Sequence, residues 1–121
     1  MTTMEIGKKL VELCAAGKNH DAMEALYGEN IVSVEAGGPP GMALEANGKA
    51  AVITKSAKWA EAHTIHSAKA EGPWPHGDRF IVRFTYDITQ KATGNRIKMD
   101  EAALFTVANG KIVREEFFYG M

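Results

Sequence analysis

The dipeptide Asn109-Gly110 lies between two runs in which apolar and polar residues alternate, the strongest short-range signal for a two-residue type I′ hairpin. Such a turn sets a register. Ala108 faces Lys111, and counting outward pairs Leu104 with Glu115 and Asp100 with Tyr119. Strands are therefore predicted over 96–108 and 111–119. Upstream, Phe80, Val82, Phe84, Tyr86 and Ile88 alternate with Arg79, Ile81, Arg83, Thr85, Asp87 and Thr89, which predicts a further strand. One more is expected over 64–71, broken by Gly72-Pro73-Trp74-Pro75-His76-Gly77-Asp78. From Thr64 onward the chain reads as an antiparallel meander.

The first half has a different period. Thr2-x-x-Glu5 has the form of a capping box, and Ile6, Leu10, Leu13 and Cys14 recur at helical spacing until Gly17. A second helix is predicted over 19–27 with Met23, Leu26 and Tyr27 inward, followed by a short strand at Ile31, Val32 and Val34. Residues 36–46 contain three glycines and two prolines and read as a loop able to cover a pocket mouth. A third helix over 47–63 puts Val52, Lys55, Ser56, Trp59 and His63 on one side. Helices followed by a meander make an α+β fold, three N-terminal helices packed on a strongly curved antiparallel sheet around one apolar pocket. With 121 residues and no linker, one domain over 1–121 is expected.

Charge narrows the functional classes. Fourteen Lys and Arg against fifteen Asp and Glu, with no block of one sign, lack the basic footprint of a nucleic-acid binder, so a small neutral or weakly polar ligand is the expected partner. No apolar run approaches a signal peptide or a membrane span, and the lone Cys14 fits a reducing compartment; a cytoplasmic protein is expected. His63 and His66 have neither a defined ligand geometry nor a third partner, so no metal is expected. There is no glycine-rich phosphate cradle followed by Lys-Ser/Thr and no Gly-x-Ser-x-Gly elbow, and no cofactor is expected.

The hairpin register also sorts the faces. Asp100, Ala102, Leu104, Thr106, Val113, Glu115, Phe117 and Tyr119 fall on one side; Glu101, Ala103, Phe105, Val107, Ile112, Arg114, Glu116 and Phe118 fall on the other. Neither is simply polar, the pattern of a sheet covered on both faces, by helices on one and by a second copy of the chain or the rest of the sheet on the other; a dimer is expected. Either way an acid is set among aromatics, where an ionised carboxylate is costly unless paired. Glu115, flanked by Val113 and Phe117, is the leading pocket acid, with a structural ion pair to Arg83, Arg96 or Lys98 as the alternative. Glu101 substitutes for Asp100 if the register slips by one. His66 shares a strand face with Thr64, Ala68 and Ala70 and is placed inward, as an acid, base or donor or as a core histidine. Trp59 is expected in the core and Trp74 as a loop anchor.

The segment Ala25-Leu26-Tyr27-Gly28-Glu29-Asn30, a short strand ending in Glu35, the element order and the Asn-Gly-Lys-Ile-Val hairpin together resemble the nuclear transport factor 2-like superfamily. Within it the likeness is to SnoaL-like polyketide cyclases and ketosteroid isomerases. The resemblance implies a cone-shaped half-barrel open at one end to a hydrophobic ligand. It also implies a general base at Glu35, a protonated oxyanion-binding acid at Asp100, and a pocket wall of Phe80, Val82, Phe84, Tyr86, Glu115 and Tyr119. The tyrosine that the family carries in its first helix falls on Leu10, which weighs against steroid-type isomerisation. The expected function is a cofactor-independent isomerase, cyclase or dehydratase acting on a hydrophobic carbonyl compound. Glu35, His66, Asp100 and Glu115 are its candidate acids and bases, and Trp59, Tyr86, Glu101, Phe117 and Tyr119 are candidates for holding substrate. The alternative is a non-catalytic ligand-binding or dimerisation module.

Overall fold

Thr2 starts the first helix, α1 (Thr3–Ala15), by a reciprocal pair of bonds: Glu5 N–H donates to Thr2 Oγ1 (3.1 Å) and Thr2 N–H to Glu5 Oε1 (2.9 Å). The structure, a computed structural model, describes residues 1–38 and 40–120. After α2 (Asn19–Leu26) come β1 (Tyr27–Val34), the short β2 (Glu45–Asn47) and α3 (Lys49–Ala62). The long strands β3 (His63–His76), β4 (Arg79–Gln90), β5 (Arg96–Ala108) and β6 (Lys111–Tyr119) complete the chain. One six-stranded sheet runs in the order β2-β1-β6-β5-β4-β3. It is not closed on itself, and the helices pack on its inner face: the fold is the α+β half-barrel that the sequence predicts.

The core follows from the two periodicities. Ile6, Leu10 and Cys14 form the buried stripe of α1, and Phe80, Val82, Phe84 and Ile88 the buried side of β4. Phe80 stacks on Phe105 with ring centroids 5.0 Å apart. Gly7 lets α1 approach the sheet, since a Cβ there would lie 2.9 Å from the Pro73 ring. Asn109 and Gly110 both take positive φ (52° and 75°), as the I′ turn requires.

Four expectations are corrected. The strand predicted to break at Gly72 continues to His76, with Trp74 paired to Ile81 and Pro75 to Phe80 across a register irregularity. Trp74 is therefore an exposed strand residue and not a loop anchor. The loop at 36–46 contains β2, which pairs with β1, while β1 lies parallel to β6; the sheet is mixed. Most consequential is a bulge in β6. Ala108 faces Lys111 and Val107 faces Ile112, but Thr106 then faces Arg114, so Val113 is an extra residue. Beyond it Phe105 opposes Glu115, Ala103 opposes Phe117 and Glu101 opposes Tyr119. A slip of one residue exchanges the faces of β6, so Glu115, Phe117 and Tyr119 share the inner face with Glu101, Ala103 and Phe105, while Asp100 lies on the outer face.

Candidate functional site

Between the inner face of the sheet, the helices and the loop after β1 lies a cavity of about 970 Å³. Its walls are apolar and aromatic, with Ile53 and Trp59 from α3, Phe84 and Tyr86 from β4, Met99 from β5 and Phe117 from β6. Trp59 stacks on His63 at 4.6 Å and tilts against Tyr86 at 5.5 Å. The polar groups on the wall converge from different elements.

Glu115 is 3% exposed, and the parallel pairing of β1 with β6 sets Ser33 directly beside it. Ser33 Oγ donates to Glu115 Oε2 (2.6 Å), and the Tyr27 hydroxyl donates to Oε1. Lys55, from the inward side of α3, donates to Ser33 Oγ (2.6 Å) and to Glu35 Oε1 (2.8 Å). The Tyr119 hydroxyl lies 3.0 Å from Glu35 Oε2 and 2.8 Å from the Gly37 carbonyl, tying the base of the loop to the same group. A continuous chain of hydrogen bonds thus runs from the buried Tyr27 through Glu115, Ser33, Lys55 and Glu35 to Tyr119. No buried side-chain polar atom among the described residues lacks a partner.

Burial dominates the titration of the site. It raises the Glu115 carboxyl above its ordinary value, against the pull of the Ser33 and Tyr27 hydroxyl donors and of the Lys55 charge, with Glu35 adding to the rise. Burial, then the nearby charges of Glu35 and Glu115, pushes Glu101 up to about 7, with Lys55 opposing. The Tyr27 phenol is raised well above its usual range by burial and then by Glu115. Cys14, on the cavity wall, is pushed up to about 12 chiefly by burial and remains a thiol, not a thiolate.

Of the residues proposed from sequence, Glu35, Glu115, Glu101, Trp59, Phe84, Tyr86, Phe117 and Tyr119 lie on the cavity wall. Phe80 and Val82 are fully buried in the core and do not line it. Asp100 is on the outer face, gripped by Arg83 through Nε to Oδ1 (2.9 Å) and Nη2 to Oδ2 (2.6 Å), which lowers its carboxyl pKa. His66 is also outside. Pairing shifts between Ile65 and Ser67, leaving His66 in a bulge with its Nε2 2.7 Å from Thr89 Oγ1 while Ala68 and Ala70 still face Tyr86 and Phe84.

Lys55, Tyr27 and Ser33 were not singled out for the site by sequence. Signals existed: Lys55 interrupts the inward stripe of α3, and alternation from Ile31 sets Ser33 and Glu35 on its face. Among the described residues no group of three His, Cys, Asp or Glu could hold a metal, and no helix is long and apolar enough to cross a membrane.

This arrangement, an acid-bearing cavity under a half-barrel, defines a class. Residues 1–119 match the SnoaL-like domain, and the chain belongs to that family. It is 44% identical to a Mesorhizobium loti protein of solved structure provisionally described as a SnoaL-like polyketide cyclase, over 98% of this chain and 100% of that one, with a TM-score of 0.92. A nuclear transport factor 2-like protein from Burkholderia thailandensis E264 is similar in fold: identity 21%, coverage 99% and 92%, TM-score 0.83. So is a Bacillus subtilis protein provisionally described as an isomerase: identity 21%, coverage 99% and 90%, TM-score 0.79. No curated protein is detectably similar.

Stability should respond to pH through the raised acids. A carboxyl that binds its proton more tightly when folded stabilises fully below its unfolded value, and that contribution is lost as pH rises through the folded value. For Glu101 this window runs from 4.5 to about 7. Urea unfolding of the native protein should show stability falling across it, and Glu101→Gln should flatten the fall; an unchanged slope in that variant would contradict the assignment.

Proposed function

We propose that the cavity is a cofactor-independent acid–base site in which Glu35 takes a proton from the carbon beside the carbonyl of a hydrophobic substrate. The supporting observation is the Glu35 carboxylate on the cavity wall, oriented through one oxygen by Lys55 and through the other by Tyr119. An ammonium has three N–H donors, and Ser33 and Glu35 take two of those of Lys55. The third serves the substrate oxygen as enolate charge develops, where a fixed cation in a poorly hydrated site is most effective. Glu115 contributes by holding Ser33, and through it Lys55. Return of the proton to another carbon gives isomerisation, loss of hydroxide gives dehydration, and attack of the enolate carbon on a second carbonyl gives cyclisation. All three share the first step.

That step is measurable as deuterium uptake by hydrophobic ketones and 1,3-diketones in D₂O, followed by proton NMR. Glu35→Gln should slow exchange by about 10²–10⁴-fold, and Lys55→Met by about 10²-fold. Exchange that persists in Glu35→Gln would overturn the reading. A non-catalytic binding module is favoured by one observation, the buried Leu10 on the cavity wall where the sequence resemblance would put a tyrosine; ligand binding with no exchange is its signature.

The proposed partner is a second copy of the chain, in the cytoplasm, where Cys14 stays reduced. The outer face of the sheet exposes Trp74, Ile81 and Phe118 among the ion pairs Arg83–Asp100 and Arg114–Glu116. A face that carries apolar side chains and both signs of charge can pair with itself about a two-fold axis. Light scattering should report a dimer, and Phe118→Glu a monomer; a monomeric native protein would contradict this.

A further inference from the structure

Three carboxyls line the cavity, those of Glu35, Glu101 and Glu115, against the single ammonium of Lys55 among the described residues. Two of the three have donors: Glu115 receives Tyr27 and Ser33, and Glu35 receives Lys55 and Tyr119. The Glu101 carboxyl has no hydrogen-bond partner among the described residues. It is nonetheless an inner-face residue, opposite Phe84 on β4 and Tyr119 on β6. Tyr86, the next residue on that side of β4, lies 6.2 Å from Phe84 and 5.5 Å from Trp59, ring centroid to centroid. Glu101 therefore opens into a cavity whose wall carries the rings of Phe84, Tyr86 and Trp59.

This combination selects by charge. An anionic group entering here would meet three carboxyls, and a neutral one would leave Glu101 desolvated and unpaired. An organic cation satisfies both features at once, since the carboxylate supplies the opposite charge and ring faces attract an ammonium through their quadrupoles. The cavity already holds one cation in this way, with Lys55 Nζ 5.4 Å from the centroid of the Phe117 ring.

We propose that Glu101, with the rings of Phe84, Tyr86 and Trp59, recognises a protonated amine or quaternary ammonium group on the ligand. The inference rests on the acid–base reading of the same cavity and sharpens it: the substrate is a carbonyl compound that also carries an ammonium group. Glu101 acts here by binding, not by exchanging a proton with the reacting carbon. The groups that bear on its charge are Glu35 just after β1, Lys55 from α3, Tyr86 from β4, and Glu115 and Tyr119 from β6.

Benzyltrimethylammonium, whose charge is independent of pH, its neutral isostere neopentylbenzene and the anion phenylmethanesulfonate are suitable probes, with binding to the whole protein followed by ligand-observed NMR. The cation should bind roughly tenfold more tightly than the neutral isostere near pH 8, and the anion most weakly. The cation's advantage should shrink toward unity at about pH 5, where Glu101 is protonated. Glu101→Gln should remove the advantage near pH 8 and with it the pH dependence, whereas Glu35→Gln should keep both. Equal binding of cation and isostere by the native protein near pH 8, tighter binding of the anion, or an undiminished advantage in Glu101→Gln would overturn the proposal. The pH series on the native protein is decisive even if a variant fails to fold. Because no turnover is measured, failure here is separable from failure of the acid–base reading: ketone exchange without cation preference would remove this inference alone.

Discussion

A carboxyl group set 3% exposed between the helices and the sheet must be given hydrogen bonds or it destabilises the fold, and the Glu115 side chain is that group. Its two donors come from one stretch of chain, Tyr27 and Ser33, at the start and near the end of β1. They reach it because β1 runs parallel to β6 with Ser33 at the level of Glu115. The same hydroxyl of Ser33 accepts from Lys55, so satisfying a core acid also fixes the position of the cavity ammonium and, beyond it, of Glu35. Fold stability and site geometry depend on one set of bonds.

The sequence made the architecture legible where local chemistry is strong. The capping box at Thr2, the alternation from Phe80 to Ile88 and the Asn109-Gly110 turn each act over a few residues, and each appears in the fold as predicted. Features set by non-local pairing were not legible. Val113 and His66 are single extra residues in long strands, and nothing in their own side chains announces a bulge. The first set Glu115 on the face of Glu101 and not on that of Asp100, and the second took His66 off the inner face. Asp100 went to an Arg83 ion pair on the outer face, Glu101 took its place inside, and His66 left the cavity. The parallel β1–β6 contact was hidden for a related reason: it joins residues about eighty positions apart, so Ser33 and Glu115 read separately as a strand serine and a strand acid.

The cavity that results is mostly ring faces and aliphatic carbon, with its charges gathered in a chain from Glu115 to Glu35 and in the unpartnered Glu101. Burial among those walls raises the Glu101 and Glu115 carboxyls. An acid with two donors is positioned; an acid with none is available to a ligand. In the proposed function, that division gives reaction to Glu35 and recognition to Glu101.

The claim that one hydrogen-bonded chain both closes the core and aims the base is tested most directly by a crystal structure of the Ser33→Ala variant. Removing the hydroxyl takes one donor from Glu115 and one acceptor from Lys55 and leaves the backbone pairing of β1 and β6 intact. The account predicts an unchanged sheet with Lys55 displaced from its native position and Glu35 following it. Lys55 and Glu35 found at their native positions, within coordinate error, would mean that Ser33 does not carry the link and that the base is oriented by other contacts.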